Sequence, residues 1–342
     1  MSNIVINPYN FAVAADFGSW KELGRTTLGA ESDLISVTGL PNKRYYMLQY
    51  VLPKVSAANT RWTFNATTGS EYSARYTNNG LADTTFINGV NFYTHVRTDG
   101  FNYGVSYISN LSTEEKLCMF YETGGDGSAA SYPDRSETTA KWANTSNSIS
   151  SIQLKNTDGG GFDTGSELVV LGYDPTDTHT DTDNFWQELA SVELGSSNGT
   201  LDSGTFTAKK YLWVQVYLNA TAAVEQRMRF NSDSTSSYSF RYSSNGATDV
   251  TAVNDSNALV GTGGVSTPTF TNMFIVNNSA NEKLVISQNV YQSSAGAASD
   301  PDTFAAVNKW VNTSSQITSI QLINLSGGVY EAGSIIKVWG SD

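Results

Sequence analysis

The sequence predicts an all-β protein built from two tandem homologous β-sandwich domains of jelly-roll-like type. Three observations carry that expectation. The first is composition: over 342 residues only 15% are charged and 12% are aromatic, with 18 Tyr, 15 Phe and 29 Gly. Disordered chains are charge-rich and aromatic-poor, so this chain is globular. The second is periodicity. Short β-branched and aromatic runs alternate apolar with polar residues between Gly, Asn and Ser, and no 12-residue window carries a helical stripe. The third is a repeat spanning nearly the whole chain.

The repeat starts at Trp20-Lys-Glu-Leu-Gly, which returns as Trp186-Gln-Glu-Leu-Ala, an offset of 166 residues. Lys43-Arg-Tyr returns as Lys209-Lys-Tyr, Arg61 as Arg227, and Tyr72-Ser-Ala-Arg-Tyr as Tyr238-Ser-Phe-Arg-Tyr, all at the same offset. The offset is 167 at Glu115-Lys-Leu against Glu282-Lys-Leu. It is 168 at Lys141-Trp-Ala-Asn-Thr-Ser against Lys309-Trp-Val-Asn-Thr-Ser, and again at Gly165-Ser against Gly333-Ser. So small a drift means one domain duplicated, with repeats at 1–174 and 175–342 and a polar linker at about 173–184. Each repeat is long enough for a core of its own and is expected to fold separately. The linker is short enough to keep the two close.

Within the second repeat the expected strands are 186–194, 204–208, 211–218, 226–231, 238–242, 269–276, 283–290, 317–323 and 334–339. Ile317-Thr-Ser-Ile-Gln-Leu-Ile shows the clean alternation of a half-buried strand. Asn79-Gly80 and Asn245-Gly246 follow Tyr-containing runs and fit type I′ hairpin turns, where both central residues take positive φ. Eight or nine strands in about 165 residues suit a jelly-roll-like sandwich better than the smaller immunoglobulin type.

Composition also excludes several functions. The formal net charge is −12, with both repeats acidic, and no basic cluster is present, so nucleic-acid binding is not expected. One cysteine, Cys118, allows no internal disulfide or cysteine zinc site. Two histidines, His95 and His179, leave little for a metal centre or a Ser-His-Asp triad. No run approaches the roughly 20 apolar residues of a membrane helix, and the start of the chain lacks the basic and apolar regions of a signal peptide. No phosphate loop or nucleophile elbow occurs, so neither cofactor nor catalytic residue is assigned.

The duplication lets each candidate be tested against its equivalent in the other repeat. Trp20/Trp186 and Trp142/Trp310 recur, while Trp62, Trp213 and Trp339 align with Met228, Met47 and Leu171. Exchange between large apolar residues is the signature of packing, so these tryptophans are expected in the core rather than as sugar platforms. The recurring carboxylates Glu22/Glu188, Asp83/Asp249 and Glu115/Glu282 form no pair of the kind glycoside hydrolysis requires. The stretch Asp177–Asp183 could offer oxygens to calcium but lacks the EF-hand pattern, and reads as a solvated linker. Arg61/Arg227 and Arg75/Arg241 stand out, because strand arginines need partners. They are candidate assembly contacts to a neighbouring subunit, weighed against hydrogen bonds to loops within the domain.

At Phe185-Trp-Gln-Glu-Leu, Arg229-Phe-Asn-Ser-Asp, Lys309-Trp-Val-Asn-Thr-Ser and Gly333-Ser, the chain resembles structural proteins of bacteriophages and environmental viruses. The resemblance implies a non-enzymatic virion protein, made in the host cytoplasm and later extracellular. Its place would be the capsid surface, as a decoration or head-fibre protein or a tandem jelly-roll coat protein. Its partners would be viral capsid proteins and copies of itself, as a homo-oligomer, and neither nucleic acid nor membrane. A tail-fibre or lectin-like role with a glycan partner is the alternative.

Overall fold

The computed structural model describes residues 19–53, 60–94, 100–177, 183–220, 222, 224–263, 267–292 and 297–342. His95, His179 and the middle of the acidic linker, 178–182, lie outside them. Among the described residues there is no α-helix, hence none long and apolar enough to cross a membrane.

The first repeat contains β1 (Lys21–Thr27), β2 (Leu34–Thr38), β3 (Tyr45–Leu52), β4 (Thr60–Phe64), β5 (Tyr72–Asn78), β6 (Thr84–Gly89), β7 (Phe92–Tyr93), β8 (Phe101–Ser109), β9 (Lys116–Gly125), β10 (Asp134–Trp142), β11 (Ser151–Asn156) and β12 (Glu167–Tyr173). The second contains β13 (Gln187–Glu193), β14 (Thr200–Asp202), β15 (Tyr211–Leu218), β16 (Val224–Phe230), β17 (Tyr238–Ser244), β18 (Val250–Asp255), β19 (Ala258–Gly263), β20 (Thr269–Val276), β21 (Lys283–Tyr291), β22 (Asp302–Trp310), β23 (Ile320–Asn324) and β24 (Ile335–Ser341).

Each repeat is a sandwich of one eight-stranded and one four-stranded sheet. The orders are β1-β12-β3-β8-β9-β10-β5-β6 over β2-β11-β4-β7, and β13-β24-β15-β20-β21-β22-β17-β18 over β14-β23-β16-β19. In the first repeat each of β2, β4, β7 and β11 in the small sheet is entered from and left to a strand of the large sheet, the winding of a jelly roll. The hairpins β5–β6 and β9–β10 then widen one sheet to eight strands. Asn79-Gly80 and Asn245-Gly246 turn these repeats' hairpins with φ of 54° and 71°, and 51° and 70°, as the type I′ geometry requires.

Alternation explains the small sheets. In β4 and β11 every second side chain is buried, so Trp62, Phe64, Ile152 and Leu154 face inward. They meet Tyr50, Tyr72, Phe120 and Trp142 from the large sheet to make the first core. Met228, Phe230, Tyr238 and Trp310 repeat that core in the second half.

Two departures from the strand pattern have physical causes. Residues 204–208 pair with no strand, and the edge position is taken by Thr200–Asp202. Strand Asp302–Trp310 is invisible to alternation because both of its faces are covered: Phe304 and Trp310 face inward, while Val307 and Lys309 face the other repeat. The strands β18 and β19 were likewise unforeseen.

The outer faces of the two large sheets pack against each other. Strands β3 and β12 are accordingly buried on both sides, unlike a sheet that faces water. A third core fills this junction, with Met47, Val51, Tyr103 and Leu171 from one repeat against Tyr211, Trp213, Phe274 and Trp339 from the other. Trp186, just before β13, sits against both Trp213 and Phe274. The molecule is therefore four sheets deep, and its halves share apolar surface that a separated repeat would expose to water.

Candidate functional site

The recurring polar residues mostly tie loops. Asn65 and Asn231, both with φ 52°, accept the N–H groups of Ser150 and Ser151, and of Thr318 and Ser319. Asn144 and Asn312 each accept two backbone N–H groups of the turn that follows. Of the seven tryptophans, Trp62, Trp142, Trp186, Trp310 and Trp339 are fully buried, Trp213 nearly so and Trp20 partly. The indole N–H of Trp142 donates to Glu71 and that of Trp310 to Asp233, both at 2.7 Å.

The four candidate arginines do not converge on one patch. Arg61 and Arg227 lie on the four-stranded sheets. Arg61 stacks 4.8 Å over Tyr93, and burial lowers its pKa. Arg227 pairs with Glu225 and with Asp255 at 3.2 Å. Arg75 and Arg241 project from the outer faces of the eight-stranded sheets, where their fates differ. Arg75 pairs with Asp83 at 3.1 Å in an exposed bridge. Arg241 donates to the Pro133 carbonyl at 2.9 Å and covers the Tyr132 ring at 4.6 Å, both on the first repeat. It therefore bonds a loop, but the loop of the other repeat.

That contact belongs to a charged rim around the junction. Arg135 grips buried Asp249 through Nη2 at 2.6 Å and Nε at 3.3 Å, and Arg241 stands 3.6 Å from the same carboxylate. Lys309 donates to Asp126 at 2.6 Å, and Glu282 accepts the Gly127 N–H at 3.0 Å. Burial works to raise the Asp126 carboxyl, but hydrogen bonds from Lys309, Ser131 and the Ser128 N–H hold it far below the usual range. Glu167 accepts from Lys210 at 2.8 Å and from the Tyr211 hydroxyl at 2.6 Å. Burial opposes its ionisation, and the bonds from Lys210, Thr27 and Tyr211 outweigh it, so its pKa is lowered.

The two faces meet unevenly. Leu284 is fully buried while its equivalent Leu117 is 58% exposed, and Lys309 is buried while its equivalent Lys141 is 42% exposed. Phe274 is 3% exposed, yet Phe270 on the same face of β20 is 42% exposed. The sheets are thus in close contact at one end and part at the other.

Between the tight end and the open one, a cleft of about 160 Å³ is lined by Val105, Tyr107, Met119 and Tyr121 from the first repeat and Asn272, Phe274, Ile286 and Gln288 from the second. Strand register makes these four equivalent pairs: Val105 with Asn272, Tyr107 with Phe274, Met119 with Ile286, Tyr121 with Gln288. The same four positions of each repeat face one another, as across an approximate two-fold axis. Sequence reasoning did not single them out. The available signal was the change of polarity between equivalents, as in Val105 against Asn272. A larger hollow, lined by Glu31, Asp33, Lys155 and Gly159–Gly161, is a shallow surface depression. Among the described residues no group of three metal-ligating side chains occurs.

No protein-family model matches the chain, and no curated protein matches it. Among solved structures the chain is similar to domains LG4-5 of the mouse laminin alpha1 chain, at 10% identity over 93% of this chain and 89% of that one, with a TM-score of 0.22. It is also similar to the LG1-3 region of the laminin alpha2 chain, at 8% identity over 90% of this chain and 64% of that one, with a TM-score of 0.22. Neisserial surface protein A aligns at 7% identity over 82% and 96%, with a TM-score of 0.12. Likenesses this loose add nothing to the strand order described above, which alone defines two tandem jelly-roll-like sandwiches.

Proposed function

We propose that the chain is a non-catalytic structural component of a virus particle, seated at the capsid surface as a decoration, head-fibre or tandem jelly-roll coat protein. It acts through protein–protein contacts, including contacts with copies of itself. The observation that carries this reading is the β6 edge of the first large sheet, which no further strand pairs among the described residues. Every residue of β6 from Thr84 to Asn88 is exposed, and Leu81, Phe86, Ile87 and Val90 there present apolar side chains to solvent. An open edge with apolar side chains is a template for a neighbouring chain. Its equivalent in the second repeat, β18, also exposes Val250 and Val253 but is met near its end by the first repeat, the Asn254 N–H donating to the Ala129 carbonyl at 2.8 Å. The aromatic and arginine side chains that a binding module would display are largely engaged in packing, which also supports an assembling block.

The test is light scattering of the purified chain together with electron microscopy and mass spectrometry of particles from its source. The expected result is a multimer that is found on particles. Because its contacts would be apolar and hydrogen-bonded, it should persist when NaCl rises from about 0.1 M to 1 M, shrinking the Debye length from roughly 10 to 3 Å. A strict monomer absent from particles would refute the proposal.

A further inference from the structure

We infer that the cleft between the repeats binds one sugar residue, a neutral polyhydroxylated ring. The inference is independent of the virion reading. It starts from the cleft's place between two homologous faces, the kind of domain interface where ligand sites concentrate. Its walls carry the partly exposed rings of Tyr107 and Tyr121, aromatic surface on which the C–H face of a sugar can lie.

Polar groups then select the ligand. Among the described residues the hydroxyls of Tyr107 and Tyr121 and the amide of Gln288 make no hydrogen bond. Asn272 uses only its Oδ1, accepting from Trp213 Nε1 at 2.6 Å and Gln215 Nε2 at 3.3 Å. Its Nδ2 is left to donate. Donors and acceptors are therefore interspersed around the aromatic faces, and hydroxyl groups, which both donate and accept, satisfy such a set. A purely apolar ligand would strip water from these groups without replacing it. Among the described residues no charged side chain lines the cleft, which favours a neutral ligand over a phosphate or a carboxylate. The volume of about 160 Å³ suits a single ring, and further residues of a glycan would leave past the exposed side chains of Met119 and Gln288.

The duplication explains how such a site could arise. Two equal walls meeting across an approximate two-fold axis would offer the same groups twice. Here the walls have diverged, with hydroxyl-bearing aromatics on one and amides on the other.

The test is saturation-transfer NMR and titration of the full chain with the methyl glycosides of glucose, galactose, mannose and N-acetylglucosamine, followed by immobilised glycans. The expected result is transfer to the C–H protons of at least one glycoside. Gln288→Ala should weaken its binding about tenfold, the loss of one well-made polar contact. Met119→Trp, at an exposed position, should fill the mouth and abolish binding while calorimetry shows an unchanged fold. Four results would overturn the inference. One is no transfer from any glycoside at about 10 mM. Another is binding that Met119→Trp leaves intact. The third is uptake of cyclohexanol with no uptake of glycosides, which would make the cleft merely apolar. Retention on immobilised glycans but not of free glycosides would place recognition in a larger surface than this cleft, and would also overturn it.

Discussion

Replacing Phe274 by Ala tests whether the two repeats are one cooperative body. Phe274 is buried in the junction, its ring 5.6 Å from Trp213, 6.1 Å from Trp186 and 6.4 Å from Tyr107. It therefore touches both repeats but lies in neither inner core. Truncating a buried Phe costs about 3–5 kcal/mol, from lost transfer energy and the cavity left behind. Unfolding entropy near 60 °C is about 2.1 cal/mol/K per residue, so a single unit of 342 residues has roughly 0.7 kcal/mol/K. The variant should then lower Tm by about 4–7 °C in one calorimetric transition. The control is Phe270→Ala, two positions along the same face of β20, where the sheets part. It should cost about 1 kcal/mol or less and shift Tm by at most ~1–2 °C. Equal losses from the two variants would refute the account of a junction tight at one end only. Two separate transitions in the unaltered protein, neither moved by Phe274→Ala, would show that the junction does not couple the repeats.

Asp249→Asn should cost about 1–3 kcal/mol by urea denaturation, because it removes the buried carboxylate that Arg135 and Arg241 share and leaves Arg135 with Glu137 alone, whereas the exposed equivalent Asp83→Asn should cost at most about 1 kcal/mol. Asp126 and Glu167 are held below ordinary carboxylate values only in the folded state, so their stabilisation is present above the unfolded pKa near 4 and is lost as pH falls from there through the lower folded pKa. Tm should fall between about pH 5 and 2, and Asp126→Asn should flatten part of that slope. Gly125→Ala would drive a Cβ into the buried Glu282 carboxylate across the junction and should cost about 1–3 kcal/mol, read from the same urea curves.

Much of the fold was legible in the chain. A repeat is visible because the same contacts are made twice: the Trp142 and Trp310 cores, the Asn65 and Asn231 loop ties and the Asn-Gly turns each need the same side chain at the same place. Period-two alternation marked the half-buried strands, since one face of each meets water. Strands covered on both faces, such as Asp302–Trp310, lose that signal. The arginines were recognisable as residues needing partners, but not which partners. Arg75 and Arg241 occupy equivalent positions in sequence, and only packing gives one an exposed bridge and the other a loop across the junction. The cleft was hidden for the same reason. Tyr107, Tyr121, Asn272 and Gln288 lie far apart along the chain, and an approximate two-fold pairing of sheet faces brings them together. Local sequence determines which way a strand's side chains point. Which face of one repeat meets the other is decided by apolar surface summed over many strands, a property that no single segment carries.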